Sequence, residues 1–148
     1  MTHQDRGHYA MKHKNIEQDL RIAAALETGA ITSENGKKTI TCEELHLISK
    51  NLGITPKEVG IQADLMELRL KECQLGLFGY EPDGKNFNKK VELSDIQLAD
   101  IQAIAPDGRT TCLKCWQAAQ KLNISRIDVG SMCEKMGIKI KNCQLGAF

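Results

Sequence analysis

The sequence predicts a mixed α+β protein, mostly α with short β elements, assembled as a tandem duplication of one small unit. Three observations predict it. Residues 41–78 recur at 111–148 with a constant offset of seventy: Thr41-Cys42 matches Thr111-Cys112, and Leu52/Leu122, Ile54/Ile124, Val59/Val129 and Gly60/Gly130 follow without a gap. Each copy closes on the same motif, Cys73-Gln74-Leu75-Gly76-Leu77-Phe78 and Cys143-Gln144-Leu145-Gly146-Ala147-Phe148. Between these landmarks, capped stretches with helical apolar spacing give way to short alternating ones, which is the pattern of helices followed by a strand.

The elements follow in order. Residues 1–15 are rich in His, Lys and Gln and read as a disordered lead; His3, His8 and His13 share no helical face. Ile16, Leu20, Ala23/Ala24 and Leu26 form an apolar stripe over 16–27, stopped at Thr28-Gly29. Asn35-Gly36 suits positive φ and marks a hairpin or turn. Thr41-Cys42-Glu43-Glu44 has capping-box spacing and opens a helix that buries Leu45, Ile48 and Leu52 before Gly53 ends it. Thr55-Pro56-Lys57-Glu58 repeats the box with proline at the first helical position, so a second helix runs from Pro56 to about Met66 and buries Val59, Ala63 and Met66. Leu68 to Leu75 then reads as a strand. Gly79 to Asn88 is loop. In the second copy, Leu93 to Ile104 reads as the opening helix, burying Leu93, Ile96, Leu98/Ala99 and Ile101. Helices at about Cys112–Leu122 and Ser125–Met136 follow, and Ile138-Lys139-Ile140-Lys141 alternates as a strand over 137–143. The units are expected at 16–79 and 91–148, joined by a linker at 80–90.

Composition bounds the setting. With 148 residues, 41% hydrophobic and 26% charged, the chain reads as globular, and units of about seventy residues sit near the lower size limit for an independent core. No run approaches a membrane span and the polar start is no secretory signal. A cytoplasmic location with reduced cysteines is the expectation, and no membrane partner. The net charge of +1 hides an asymmetry. Residues 40–79 carry four basic and six acidic side chains, whereas 110–148 carry six basic and two acidic. Any polyanion would be met by the second unit.

Two helices joined through Asn51-Leu52-Gly53-Ile54-Thr55, with an apolar Val59 six residues beyond the glycine, have helix-turn-helix spacing. In the second copy Ala119 fills the small place before the turn, and Asn123 can adopt the left-handed conformation of Gly53. With a helix before and a strand after, each unit resembles the winged helix-turn-helix superfamily. That resemblance implies DNA binding, with the helices at 56–66 and 125–136 as the ones that would enter the major groove. In the second unit Ser125, Arg126, Ser131, Lys135, Lys139 and Lys141 are the candidate contacts to double-stranded DNA. The first unit offers Lys57, Gln62 and Arg69 but sets Glu58, Asp64 and Glu67 against them. A winged domain also needs a hairpin, and only one strand follows the last helix. Its open edge must pair with an earlier segment, the other unit or another chain, so a homodimer or protein partner is the competing expectation. In that alternative the helix-turn-helix shape serves interaction or assembly without nucleic acid.

The cysteines offer a third reading. Cys112, Cys115, Cys133 and Cys143 could hold a metal or act as a redox sensor, although Cys115 and Cys133 align with the core positions Leu45 and Ala63. No catalytic constellation or glycine-rich phosphate loop emerges; the expectation is a non-enzyme without a cofactor.

Overall fold

Capping decides where each helix of this chain begins. The computed structural model describes residues 9–148. Asp19 accepts hydrogen bonds from the Arg21 and Ile22 amides and starts α1 (Leu20–Gly29). The helix expected from Ile16 therefore begins four residues later, because a capping aspartate holds extended backbone. Leu20 ends up 80% exposed, while Ile22 and Leu26 face inward. A hairpin follows: β1 (Ile31–Thr32) pairs antiparallel with β2 (Lys38–Thr41), with Gly36 at φ 77° in the turn. Thr41 caps α2 (Cys42–Leu52), and Thr55 with Glu58 completes a capping box for α3 (Pro56–Leu65). Then β3 (Arg69–Lys71) lies parallel to β2, with Ile40 opposite Leu70.

The second half runs helix, strand, helix, helix, strand, with no counterpart of β1. Ser94 and Gln97 box the start of α4 (Asp95–Ala103), so the helix expected from Leu93 also starts late. That cap sets the helical phase: Ile101 is buried but Ile96 is 78% exposed, against the expected stripe. Next come β4 (Arg109–Thr111), α5 (Cys112–Leu122) capped by Thr111, α6 (Arg126–Lys135) capped by Ser125, and β5 (Lys139–Lys141). The strand after α6 finds its partner in an earlier segment, since β5 pairs parallel with β4. Thr39↔Arg69 to Thr41↔Lys71 and Arg109↔Lys139 to Thr111↔Lys141 are the same register at offset seventy. Both turns between the paired helices use a left-handed residue: Gly53 at φ 66° and Asn123 at φ 53°. Among the described residues the architecture is α+β, with six α-helices, one three-stranded and one two-stranded sheet.

The chain divides into two units, though not at the expected boundaries. Unit 1 comprises the described residues up to Glu72 together with Gln144–Phe148, and unit 2 is Cys73–Cys143. Apart from Cys143, the closing motif of each copy thus lies in the unit built from the other. The reason is local. The residues just after β3 and β5, Glu72 and Asn142, are left-handed at φ 52° and 54°, so the backbone turns away from the ladder before the motif begins. Leu145 and Ala147 join Ile22, Leu26, Ile40, Leu45, Ile48, Val59, Ala63, Leu68 and Leu70 among the buried residues of unit 1. In unit 2, Cys73 and Leu75 pack with Ile101, Cys112, Cys115, Ala118, Ala119, Val129 and Cys133.

Residues 1–8 of the expected disordered lead lie outside the described residues. The rest of it is ordered: Tyr9–His13 form a short 3-10 helix held against α3. The expected linker at 80–90 belongs to unit 2 and is fixed there by hydrogen bonds described below.

Candidate functional site

Helix α6 carries three of the six candidate DNA contacts and a fourth, Ser125, as its cap, and its backbone is approached closely. A Cβ built on Gly130 would meet the Leu75 carbonyl oxygen at 1.9 Å. Glycine is required there because Cys73–Phe78 crosses the helix with no room for a side chain. That segment is a closed turn: the Cys73 amide donates to the Phe78 carbonyl at 3.1 Å and the Gly76 amide to the Cys73 carbonyl at 2.9 Å. Burial pushes the Cys73 thiol up, and backbone hydrogen bonds from Leu77 and Leu75 to its sulfur pull the other way.

The side chains of α6 are largely engaged inside the unit. Ser125 accepts from the Asp128 amide at 3.0 Å, which commits it to the cap. The Arg126 guanidinium stacks 3.6 Å from the centroid of the Trp116 ring, and its Nη1 donates to Gln74 Oε1 at 3.3 Å. Ser131, expected at a DNA interface, is 3% exposed. Its hydroxyl donates to the Ile127 carbonyl at 2.6 Å and accepts from the Asn88 amide at 2.7 Å. Asn88 also donates through Nδ2 to Asp128 at 3.1 Å, and Lys135 Nζ reaches the Val91 carbonyl at 3.3 Å. Lys85 adds a 3.6 Å ion pair with Glu134. Residues 85–91 therefore form a strap along α6.

Helix α3 is strapped in the same manner. Gln62 accepts from the Asp19 amide at 2.9 Å and donates to the Glu17 carbonyl at 3.1 Å. His13 Nε2 meets the buried Asp64 carboxylate at 2.8 Å, and Tyr9 donates its hydroxyl to the Glu67 carbonyl. Burial, then the Glu67 charge, holds the Tyr9 phenol above its ordinary value. Asp64 and Glu134 are equivalent at offset seventy, and each pairs with a basic residue of its own strap. A Cβ on Gly60 would lie 1.9 Å from the Leu145 carbonyl oxygen, as at Gly130.

Lys139 and Lys141 are exposed on β5, as Ser125, Arg126 and Lys135 also are despite their bonds, so Ser131 alone of the six is buried. Lys139 stands opposite exposed Arg109 in the parallel ladder, an arrangement of like charges that costs stability. Arg109 gave no signal in the sequence because only pairing across the ladder brings it to Lys139. Asn88, Gln74 and Trp116 were likewise missed; of these, only Gln74 carried a hint, through its place in the repeated motif.

The four candidate metal ligands are not brought together. Cys115 and Cys133 are fully buried and share a thiol–thiol hydrogen bond; that bond, then burial, pushes the Cys115 thiol far up. Cys112 and the Thr110 hydroxyl lie near Cys115, whereas Cys143 neighbours Cys73. Among the described residues, no group of three or more His, Cys, Asp or Glu side chains is placed to hold a metal ion. No described helix is long and apolar enough to cross a membrane. Comparison with protein-family models, curated proteins and solved structures gives no match, so the geometry alone bears on function.

Proposed function

We propose that the chain is a tandem of two wingless helix-turn-helix units that acts as a non-enzymatic interaction or assembly module. In this reading neither second helix enters a DNA groove. One observation carries it. The helix positions that a duplex reader keeps free are used inside each unit: Ser125, Ser131 and Lys135 on α6, Gln62 and Asp64 on α3. Base readout needs uncommitted donors and acceptors near the start of the recognition helix. A strap along that helix also keeps the groove walls away. A cytoplasmic setting, in which six thiols remain reduced, accompanies the proposal.

A second reading rests on a different observation. Arg109, Lys139 and Lys141 project from the β4–β5 ladder with no acidic partner among the described residues, and they would suit a phosphate backbone. Binding of a labelled duplex across a salt series separates the two. The expected result is no salt-dependent affinity that responds to charge reversal. A steep salt slope abolished by Arg126→Glu with Lys135→Glu would overturn the proposal and restore α6 as a groove reader. A slope abolished by Lys139→Glu with Lys141→Glu would replace it by the ladder reading.

A further inference from the structure

Unit 1 completes its sheet with a strand that unit 2 lacks. There β1 lies antiparallel along the outer edge of β2, with Ile31 opposite Thr39 and Thr32 opposite Lys38. At offset seventy these edge positions are Arg109 and Gly108, and among the described residues no strand pairs with the outer edge of β4. The cause is the length of the connection. Residues 30–37 between α1 and β2 hold β1 and its turn, whereas α4 and β4 are joined by 104–108 alone. The Lys139 amide donates to the Gly108 carbonyl at 3.0 Å, so by the alternation of a strand the amide and carbonyl of Arg109 face away from β5. That amide rests on Asp107 Oδ1 at 3.2 Å, and Asp107, Gly108 and Arg109 are all exposed.

We propose that the outer edge of β4 takes up an extended, acidic segment of a partner protein as an added antiparallel strand. The proposal deepens the interaction reading, on which it rests, by naming the surface and the chemistry of the partner. The added strand stands where β1 stands in unit 1, its main chain bonded to Arg109 and its side chains read by the exposed face of the ladder. Charge selects the occupant. Arg109 and Lys139 are register partners and Lys141 follows two residues on, so all three cations share one exposed face, and no acidic side chain among the described residues pairs with them. Unit 1 has uncharged Thr39 where unit 2 has Arg109, and meets it with uncharged Ile31. An Asp or Glu opposite Arg109 relieves the cross-strand repulsion between Arg109 and Lys139. The same three cations repel a second copy of this edge, which opposes self-pairing. A duplex offers phosphates but no main chain to bond the edge, so a peptide strand uses more of what β4 presents.

Titration of the full chain with an eight-residue peptide alternating threonine and glutamate, followed by amide chemical shifts, tests the proposal. The shifts should centre on residues 107–111. Arg109→Glu, at an exposed position, should keep the fold by circular dichroism and weaken the peptide by about tenfold or more. A second peptide with N-methylated glutamates keeps the charge but loses the main-chain donors that face Arg109, and it too should bind about tenfold more weakly or worse, because strand addition takes its affinity from the main chain. No shifts at millimolar peptide, equal binding of the two peptides, or an unchanged affinity in Arg109→Glu would each overturn the proposal. Tighter binding of a short DNA duplex than of the peptide at the same residues would overturn it in favour of the phosphate reading of the ladder. Failure with the peptides alone sinks only the strand docking; the interaction reading falls separately, to the duplex salt series.

Discussion

Helices α3 and α6 share length, a left-handed turn before them, a hydroxyl N-cap and a glycine at equivalent positions, yet they are built against different neighbours. Around α3 the core is closed by Leu45 and Ala63; around α6 the same two places hold Cys115 and Cys133, both fully buried. One large and one small side chain are exchanged for two of intermediate size. The difference teaches that the frame tolerates redistribution of volume across a helix pair, provided the sum and the backbone approach at the glycine are kept. The straps teach the same lesson for polar contacts. Unit 1 uses a buried carboxylate with a histidine, and unit 2 uses an exposed glutamate with a lysine.

The glycine pair gives the largest effect with which to break this equivalence. Gly130→Ala should cost about 3 kcal/mol, since the Leu75 segment is tethered on both sides and the unit must distort as a whole. Gly60→Ala should cost a similar amount, because the Leu145 carbonyl stands at the same 1.9 Å from the added Cβ. Urea unfolding compares the two. Unequal losses would show that the two closing segments are held differently.

Volume redistribution can be tested by converting one core into the other. Cys115→Leu alone should overpack by about 1–3 kcal/mol, while Cys115→Leu with Cys133→Ala should return to within about 1 kcal/mol of the parent. A double variant no better than the single one would mean that the two cores differ in backbone as well as side chains. The straps rank next. His13→Ala leaves the buried Asp64 with one fewer hydrogen bond and should cost about 1–2 kcal/mol, against less than about 0.5 kcal/mol for Lys85→Ala at the exposed pair. Denaturant midpoints of the two variants give that ratio. The smallest effect sharpens the comparison after the helices. Glu67 holds φ 52° where the equivalent residue is Gly137 at φ 70°. Glu67→Gly should relieve about 1 kcal/mol of left-handed strain and return part of it as chain entropy, for a net gain of about 0.5 kcal/mol. A rise in Tm of a few degrees checks it; a fall would place the Glu67 side chain in a stabilising contact.

Much of the fold was legible because its signals are local. Thr41, Thr55, Thr111 and Ser125 announce their helices within four residues, and Asn123 takes the left-handed turn its chemistry allows. Phase was harder to read. The stripe through Leu93 and Ile96 counts Leu93 as helical, but Ser94 caps the helix after it and turns Ile96 outward. Exposure was legible at Lys139 and Lys141 from the strand's alternation, and at Ser125, Arg126 and Lys135 too, but not the bonds that engage those three. Ser131 looks like any polar residue on a helix until Asn88 covers it, and Asn88 stands in a stretch with no periodicity to place it. Gly60 and Gly130 could be matched to each other in the sequence. Their purpose could not, because the carbonyl each accommodates comes from the other copy's motif.

The discontinuity of unit 1 has a consequence for biosynthesis. Unit 2 is one uninterrupted stretch, Cys73–Cys143, and has all its parts once that stretch has left the ribosome. Unit 1 does not, because its residues up to Glu72 wait for Gln144–Phe148. At roughly 5–20 residues per second, the nascent chain carries an unfilled α3 for about 4–15 s. The half made first is thus the last to mature, and the face around Gly60 is open to neighbouring nascent chains on a crowded polysome throughout that interval.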